Sequence, residues 1–183
     1  MPKMSKTPKE GGATFSIGNR MYRFAWNLAW FILCSWTPRF LWRWRLLILR
    51  IFGAKVASRC DVRRSSKIWC PSNLVLQEGA LIAENVNCYN VATVTLEQGA
   101  LVSQGAYLCT ASHKTTNPSF PLIKKPITLK KNCWVASEAF VGPGVIVGEY
   151  TVLAARAAAF DNLQPLSIYR GNPAVWLRKR EIQ

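Results

Sequence analysis

At 183 residues, half of them hydrophobic, the chain is long enough for one well-buried domain and too apolar for intrinsic disorder. Its net charge of +15 is uneven: residues 1 to 60 hold eleven Lys or Arg against one acid, Glu10, and from Ile68 to His113 there is no Lys or Arg at all. That gap argues against a nucleic-acid binder, which needs basic and aromatic residues along one reading surface. Six cysteines without a CxxC pair, together with a single histidine, give no zinc spacing. No metal is expected, and free thiols in a reducing compartment are the default.

The first stretch, MPKMSKTPKEGGATFSIG, has charge, Pro and Gly without the apolar core of a signal peptide behind it, so residues 1 to 19 are expected to be a disordered lead. Residues 20 to 54 follow as an amphipathic helical segment. FAWNLAWFILCSW (24–36) is uncharged but, at thirteen residues, shorter than the roughly 20 that span a bilayer. FLWRWRLLILRIF (40–52) lies beyond Pro38, and at 100° per residue Arg39, Arg43 and Arg50 fall within about 40° of one another on a helix while Arg45 lies off that stripe. Two Trp-rich helices about Pro38 fit either a peripheral membrane or partner contact through residues 20–52, or a hydrophobic cap packed on the rest of the protein.

From Val56 a six-residue period takes over. KKNCWV, ASEAFV, GPGVIV, GEYTVL and AARAAA run contiguously over 130–159, and the same phase upstream picks out Val62, Ile68, Leu76, Ile82, Cys88, Leu96, Val102 and Leu108. Neither a helical period nor simple alternation gives six. A triangular parallel β-helix does, with one hexad per face and the aliphatic residue pointing inward. The small residue after it (Ala83, Ala136, Gly142, Gly148, Ala154) is expected to turn the corner. Steps of eight at 68–76 and 88–96 lie 20 residues apart, one coil plus two inserted residues, so both insertions are expected at the same corner. The β-helix is assigned to residues 55–162, with a C-terminal cap and tail over 163–183. Between Leu108 and Leu129 the phase breaks, and Pro118, Pro121 and Pro126 predict an extruded loop over 109–128 without regular strand. The single histidine, His113, sits where it departs.

This pattern resembles the hexapeptide-repeat acyltransferases, and within them the sugar O-acetyltransferases of exopolysaccharide synthesis of the colanic-acid type. The carriers are RIFGAKV (50–56), IWCPSNL (68–74), SQGAYLCTASH (103–113), PSFPLIKKPI (118–127), FVGPGVIVGE (140–149) and GNPA (171–174). The resemblance implies a mainly β fold, a left-handed parallel β-helix, assembled as a homotrimer with active sites between subunits. It implies acetyl-CoA as co-substrate and a sugar or lipid-linked saccharide acceptor at the cytoplasmic membrane face. His113 takes the place of the general base, a role that an imidazole with a pKa near about 6.5 suits at neutral pH. Where galactoside-type relatives carry an oxyanion Asn this chain has Ala83, which leaves Asn85, Asn87, Asn90 or a backbone N–H as donors, with Tyr89 beside the acceptor. The resemblance sets Trp134 against the pantetheine, backbone groups of Ser137 and Ala155 beside it, and, with Asp161 where the family has a basic residue, Arg156, Arg178 and Arg180 as phosphate partners. Lys114 stands where polysaccharide relatives often carry Asp, leaving Glu138 as the candidate to orient the imidazole. Two other readings compete: a non-catalytic trimeric scaffold, and an acetyltransferase with an amino sugar or serine as acceptor. Cys109, four residues before His113, is a further candidate nucleophile.

Overall fold

A computed structural model describes residues 15–182. The period of six produces the expected solenoid, a left-handed β-helix of about six turns whose three flat faces are parallel sheets. The first coil is made of β1 (Lys55–Val56), β2 (Asp61–Val62) and β3 (Lys67–Ile68). The second is β4 (Leu74–Leu76), β5 (Leu81–Ile82) and β6 (Asn87–Tyr89), and the third β7 (Val94–Leu96), β8 (Leu101–Val102) and β9 (Tyr107–Cys109). A two-stranded excursion, β10 (Ala111–His113) and β11 (Leu122–Lys124), follows. The fourth coil is β12 (Ile127–Leu129), β13 (Trp134–Val135) and β14 (Phe140–Val141), and the fifth β15 (Ile146–Val147), β16 (Val152–Leu153) and β17 (Ala158–Ala159). β18 (Ser167–Arg170) adds a parallel strand to the second face, and β19 (Val175–Lys179) turns back antiparallel on it.

The strand register stacks the inward hexad residues on one another. Val56, Leu76, Leu96, Leu129 and Val147 form one column. Val62, Ile82, Val102, Val135 and Leu153 form the second, and Ile68, Cys88, Leu108, Val141 and Ala159 the third. Nearly all are fully buried, and each large aliphatic side chain contributes about 1.5–3 kcal/mol by leaving water.

The corners differ from expectation in one respect. The backbone turns into the left-handed region three residues after the inward side chain, at Gly79, Asn85, Gly99, Gly105, Asn132, Glu138, Gly144, Tyr150, Arg156 and Leu166, and not at the residue directly after it. Smallness directly after the inward residue has another cause, the close approach of the next coil's backbone. A Cβ on Gly148 would lie 2.5 Å from the Pro165 nitrogen, and one on Gly142 3.2 Å from the Ala159 carbonyl.

α1 (Ile17–Leu33) and α2 (Trp42–Ile51) close the N-terminal end, joined by a short 3-10 turn (Arg39–Leu41) after Pro38. α1 begins inside the stretch expected to be a disordered lead, because the Ser16 hydroxyl caps it by accepting from the Asn19 N–H at 3.2 Å. The remaining lead, residues 1–14, lies outside the described residues.

How the helices sit follows from the polarity of the sheets. Coil-one amides donate forward to coil two, as Arg63 N–H does to the Ile82 carbonyl, so coil-one carbonyls face the end where no further coil exists. Side chains supply the missing donors. Trp26 Nε1 donates to the Ile68 carbonyl at 2.6 Å, Trp30 Nε1 to Arg64 at 3.1 Å, Arg45 Nε to Val62 at 2.8 Å, and Arg50 to Val56 and Ala57. Arg45 is 1% exposed, and its guanidinium also reaches the Thr37 hydroxyl, the Pro38 and Arg39 carbonyls and Asp61. The segment is therefore a cap on its inner side, and Arg45, the arginine off the predicted stripe, is the one that is buried.

Candidate functional site

Both two-residue insertions fall at the corner between the third and first faces, at the 3-10 turn Pro71–Asn73 and at residues 91–93. The loop leaves from the same corner one coil higher. Down this edge runs a ladder of polar side chains. The Asn90 amide, fully buried, donates to the Cys70 carbonyl at 2.7 Å and accepts from the Cys70 N–H at 2.9 Å. The Thr110 hydroxyl, likewise fully buried, donates to the Tyr89 carbonyl at 2.9 Å and accepts from the Ala92 N–H at 3.0 Å. Thr110 thus anchors the point at which the chain swings outward.

The excursion is not the irregular loop its prolines predict. Ala111, Ser112 and His113 pair antiparallel with Lys124, Ile123 and Leu122, so β10 and β11 make a hairpin. Pro118 and Pro121 sit outside the two strands and Pro126 just ahead of β12, which reconciles them with strand pairing. His113 is exposed near the hairpin tip, with its Nδ1 2.5 Å from the Phe120 carbonyl. A carbonyl only accepts, so Nδ1 carries a proton, and in the neutral imidazole that tautomer keeps the lone pair on Nε2. Phe120 holds φ at +46°, an unusual conformation for a bulky residue, and that conformation aims its carbonyl at the imidazole.

Within one chain Glu138 stands at a different corner from the one that carries His113. It sits at the corner between the second and third faces and pairs with Arg156 at 2.6 Å, because both are the left-handed corner residues of successive coils and their side chains stack. Arg156 is consequently ion-paired. Arg180 donates to the Tyr150 carbonyl at 2.9 Å, capping a corner, while Arg178 lies on the exposed strand β19.

The remaining expected cofactor residues cluster. Trp134 lies on β13 beside Leu101 and Val152, 41% exposed, with its Nε1 donating to the Ser103 hydroxyl at 2.8 Å. Ser137 and Ala155 occupy the adjoining corner, where the Ser137 carbonyl accepts from the Arg156 N–H at 2.9 Å. An exposed indole edge beside turn backbone suits an extended amide-bearing chain such as pantetheine. This cluster and His113 lie on opposite sides of the third face, so one chain does not bring them together.

The acceptor candidates also divide. Asn85 is an exposed left-handed corner residue whose N–H donates to the Ser65 hydroxyl at 3.1 Å, and it lines a cleft of about 520 Å³ with Thr37, Arg39, Arg63, Arg64 and Glu84. Asn87 is exposed on the third face, one residue from the inward Cys88. Asn90 is committed to Cys70. Tyr89 packs edge-on against Trp69 at 5.5 Å, and burial pushes its phenol above the usual value. Sequence reasoning missed Phe120 and Ser103. Phe120 acts through its backbone, which leaves no mark on side-chain pattern, whereas Ser103 was findable as the small residue following inward Val102.

All six cysteines are buried and unpaired. Burial raises the thiols of Cys88 and Cys133 to about 12 and that of Cys34 to about 11, so these are core filler in their neutral form. Cys109 points its Sγ at the Ala111 carbonyl, 3.1 Å away. Among the described residues no three His, Cys, Asp or Glu side chains converge as a metal site.

No family model matches the chain. Individual relatives do. WcaF of Escherichia coli K12, assigned to colanic acid biosynthesis as an acetyltransferase, is 37% identical over 166 residues, covering 91% of each chain. The chain belongs to the hexapeptide-repeat acetyltransferases, in the WcaF-like group. Solved structures under 25% identical share the fold. A maltose O-acetyltransferase of Clostridium difficile 630 aligns over 98% of this chain and all of its own at TM-score 0.80 and 17% identity. A hexapeptide-repeat acetyltransferase of Vibrio cholerae, solved with acetyl coenzyme A, aligns over 96% of each chain at 0.79 and 19%. A galactoside acetyltransferase in complex with coenzyme A aligns over 93% of this chain and 86% of its own at 0.81 and 18%.

Proposed function

We propose that the protein is an acetyl-CoA-dependent O-acetyltransferase that modifies a sugar hydroxyl in a polysaccharide or a lipid-linked saccharide precursor, working as a homotrimer on the cytoplasmic side of the membrane. The observation that carries this reading is the His113 imidazole, whose Nδ1–H is engaged by the Phe120 carbonyl and whose Nε2 is directed away from that bond.

In this reading Nε2 removes the proton of the acceptor hydroxyl as its oxygen attacks the thioester carbonyl. The tetrahedral oxyanion collapses, the C–S bond breaks, and the coenzyme A thiolate takes the proton back from the imidazolium. The Phe120 carbonyl stabilises the imidazolium between the two transfers and holds the tautomer that can act as base. No enzyme nucleophile is required, in keeping with a Cys109 thiol that is buried and turned to the Ala111 carbonyl. Trp134, Ser137 and Ala155 line the thioester arm, with Arg178 the basic residue open to its phosphates. A trimer is supported by the separation of His113 from that cluster within one chain: a hairpin reaching from one subunit and a coenzyme groove on the next would make one site at each interface.

The test is thiol release from acetyl-CoA with a panel of sugars, amino sugars and serine, for the wild type and His113→Ala. A hydroxyl-bearing sugar should be preferred, and the variant should keep acetyl-CoA binding by calorimetry while losing turnover. Full activity in the variant would refute the base, and no acetyl-CoA binding by the wild type would favour a scaffold.

A further inference from the structure

The cap helices are apolar on both sides. On α1 the inward face carries Trp26, Trp30 and Leu33, while Ile17, Met21, Phe24, Leu28, Phe31 and Ile32 face away from the coil and are 48–77% exposed. At 100° per residue those six lie within an arc of about 100°, opposite the buried face. On the 3-10 turn and α2, Phe40, Trp44, Leu47 and Ile51 repeat the arrangement, 39–76% exposed, within about 60°. Trp44 Nε1 donates to the Leu33 carbonyl at 2.8 Å, which sets the second stripe against the end of the first. Soluble surfaces seldom expose so much contiguous apolar area without a use for it.

We propose that this face seats the protein on a bilayer containing acidic lipid, with both helices lying in the interface. Charge decides the occupant. Residues 17 to 52 contain no Asp or Glu, Arg39 and Arg43 run along the edge of the α2 stripe, and Arg20 flanks the stripe on α1. A second copy presenting the same face would set arginine against arginine, whereas lipid phosphates neutralise it. Two polar groups on the face are already spent internally: Trp36 Nε1 donates to the Ile32 carbonyl at 2.7 Å and the Ser35 hydroxyl to the Phe31 carbonyl at 2.6 Å, so neither carries an unpaired donor toward hydrocarbon. Among the described residues no helix is long and apolar enough to cross a membrane, which leaves these helices lying flat in the interface. The inference stands apart from the chemistry at His113.

Removing the helices would strip donors from the first coil, so the test uses the full chain. Flotation with phosphatidylcholine vesicles, with and without a third phosphatidylglycerol, compares the wild type with F31S/F40S/L47S and with R20Q/R39Q/R43Q. The wild type should float with the mixed vesicles. The apolar triple variant should lose at least about tenfold in partition to either composition. The arginine variant should lose its preference for acidic vesicles while keeping weak neutral binding. Equal flotation of the wild type and the apolar variant would overturn the proposal. So would a fall of that variant to smaller oligomers by light scattering with vesicle binding unchanged, which would make the face a contact between copies.

Discussion

One corner of the solenoid, between the third and first faces, carries an insertion three times, built in two ways. In the second coil, two inserted residues are folded in and sealed by the buried Asn90 amide, which takes both backbone groups of Cys70. One coil higher the insertion is large enough to pair with itself, and Thr110 seals only the exit while Ala111 to Lys124 stand out as a hairpin bearing His113. The first version spends its polar side chain on stability. The second leaves an imidazole in solvent on a base that the coil holds fixed. Rigidity at the root and exposure at the tip come from the same edge, and only the length of the insertion differs.

That contrast can be broken from either side, and the largest effect is expected at the tip. His113→Ala should lower turnover about 10²- to 10⁴-fold with little change in melting temperature, measured by thiol release and calorimetric unfolding. Asn90→Ala should do the converse. It leaves the Cys70 N–H unpaired at about 1–3 kcal/mol and strips the Cys70 carbonyl of one of its two donors, the Asn73 N–H at 3.0 Å being retained, and the loss should be visible as a lower urea midpoint while activity of the remaining folded protein persists. Phe120→Pro, which forbids the +46° φ, should turn the accepting carbonyl away and cost about tenfold in kcat with a shifted pH profile, whereas Phe120→Gly, which tolerates that φ, should stay within about threefold of the wild type. The smallest effect belongs to the coil alone. The Cys34, Cys88 and Cys133 thiols are raised from 9.0 to about 11, 12 and 12, so the folded state keeps protons that the unfolded chain gives up. Their contribution is intact below pH 9 and is lost as the pH climbs through about 11 to 12, at up to about 1.4 kcal/mol per pH unit for each thiol. Cys88→Ala should therefore flatten the fall of the urea midpoint between pH 8 and pH 10.5.

The coil was legible because its constraint is periodic. One inward residue per hexad reports itself in the residues present, and the eight-residue steps at Leu76 and Leu96 placed the insertions at one edge. The position of the left-handed turn was misassigned by two residues, although Gly79, Asn85, Gly99, Gly105, Asn132 and Gly144 mark it with the residue types that tolerate positive φ. Small residues after the inward position drew attention instead, since smallness alone does not separate a turn from a close backbone approach. His113 was legible through its motif. Its orientation was not, because the group that fixes it is a main-chain carbonyl seven residues on, and Glu138, chosen for its charge, belongs to another corner. The helical segment yielded two readings from one composition, and each face of the helices fits one of them.

The terminal coil's carbonyls, met by indole and guanidinium groups in place of another strand's amides, also bear on solubility. A parallel solenoid with a bare end is a template: the next molecule's first rung could continue the sheets, and copies would string into fibres. Side-chain donors satisfy that end without presenting a new ladder to extend, and the antiparallel return of β19 spoils the register of the second face at the other. Tryptophan and arginine in the cap thus set the length of the rod at one molecule.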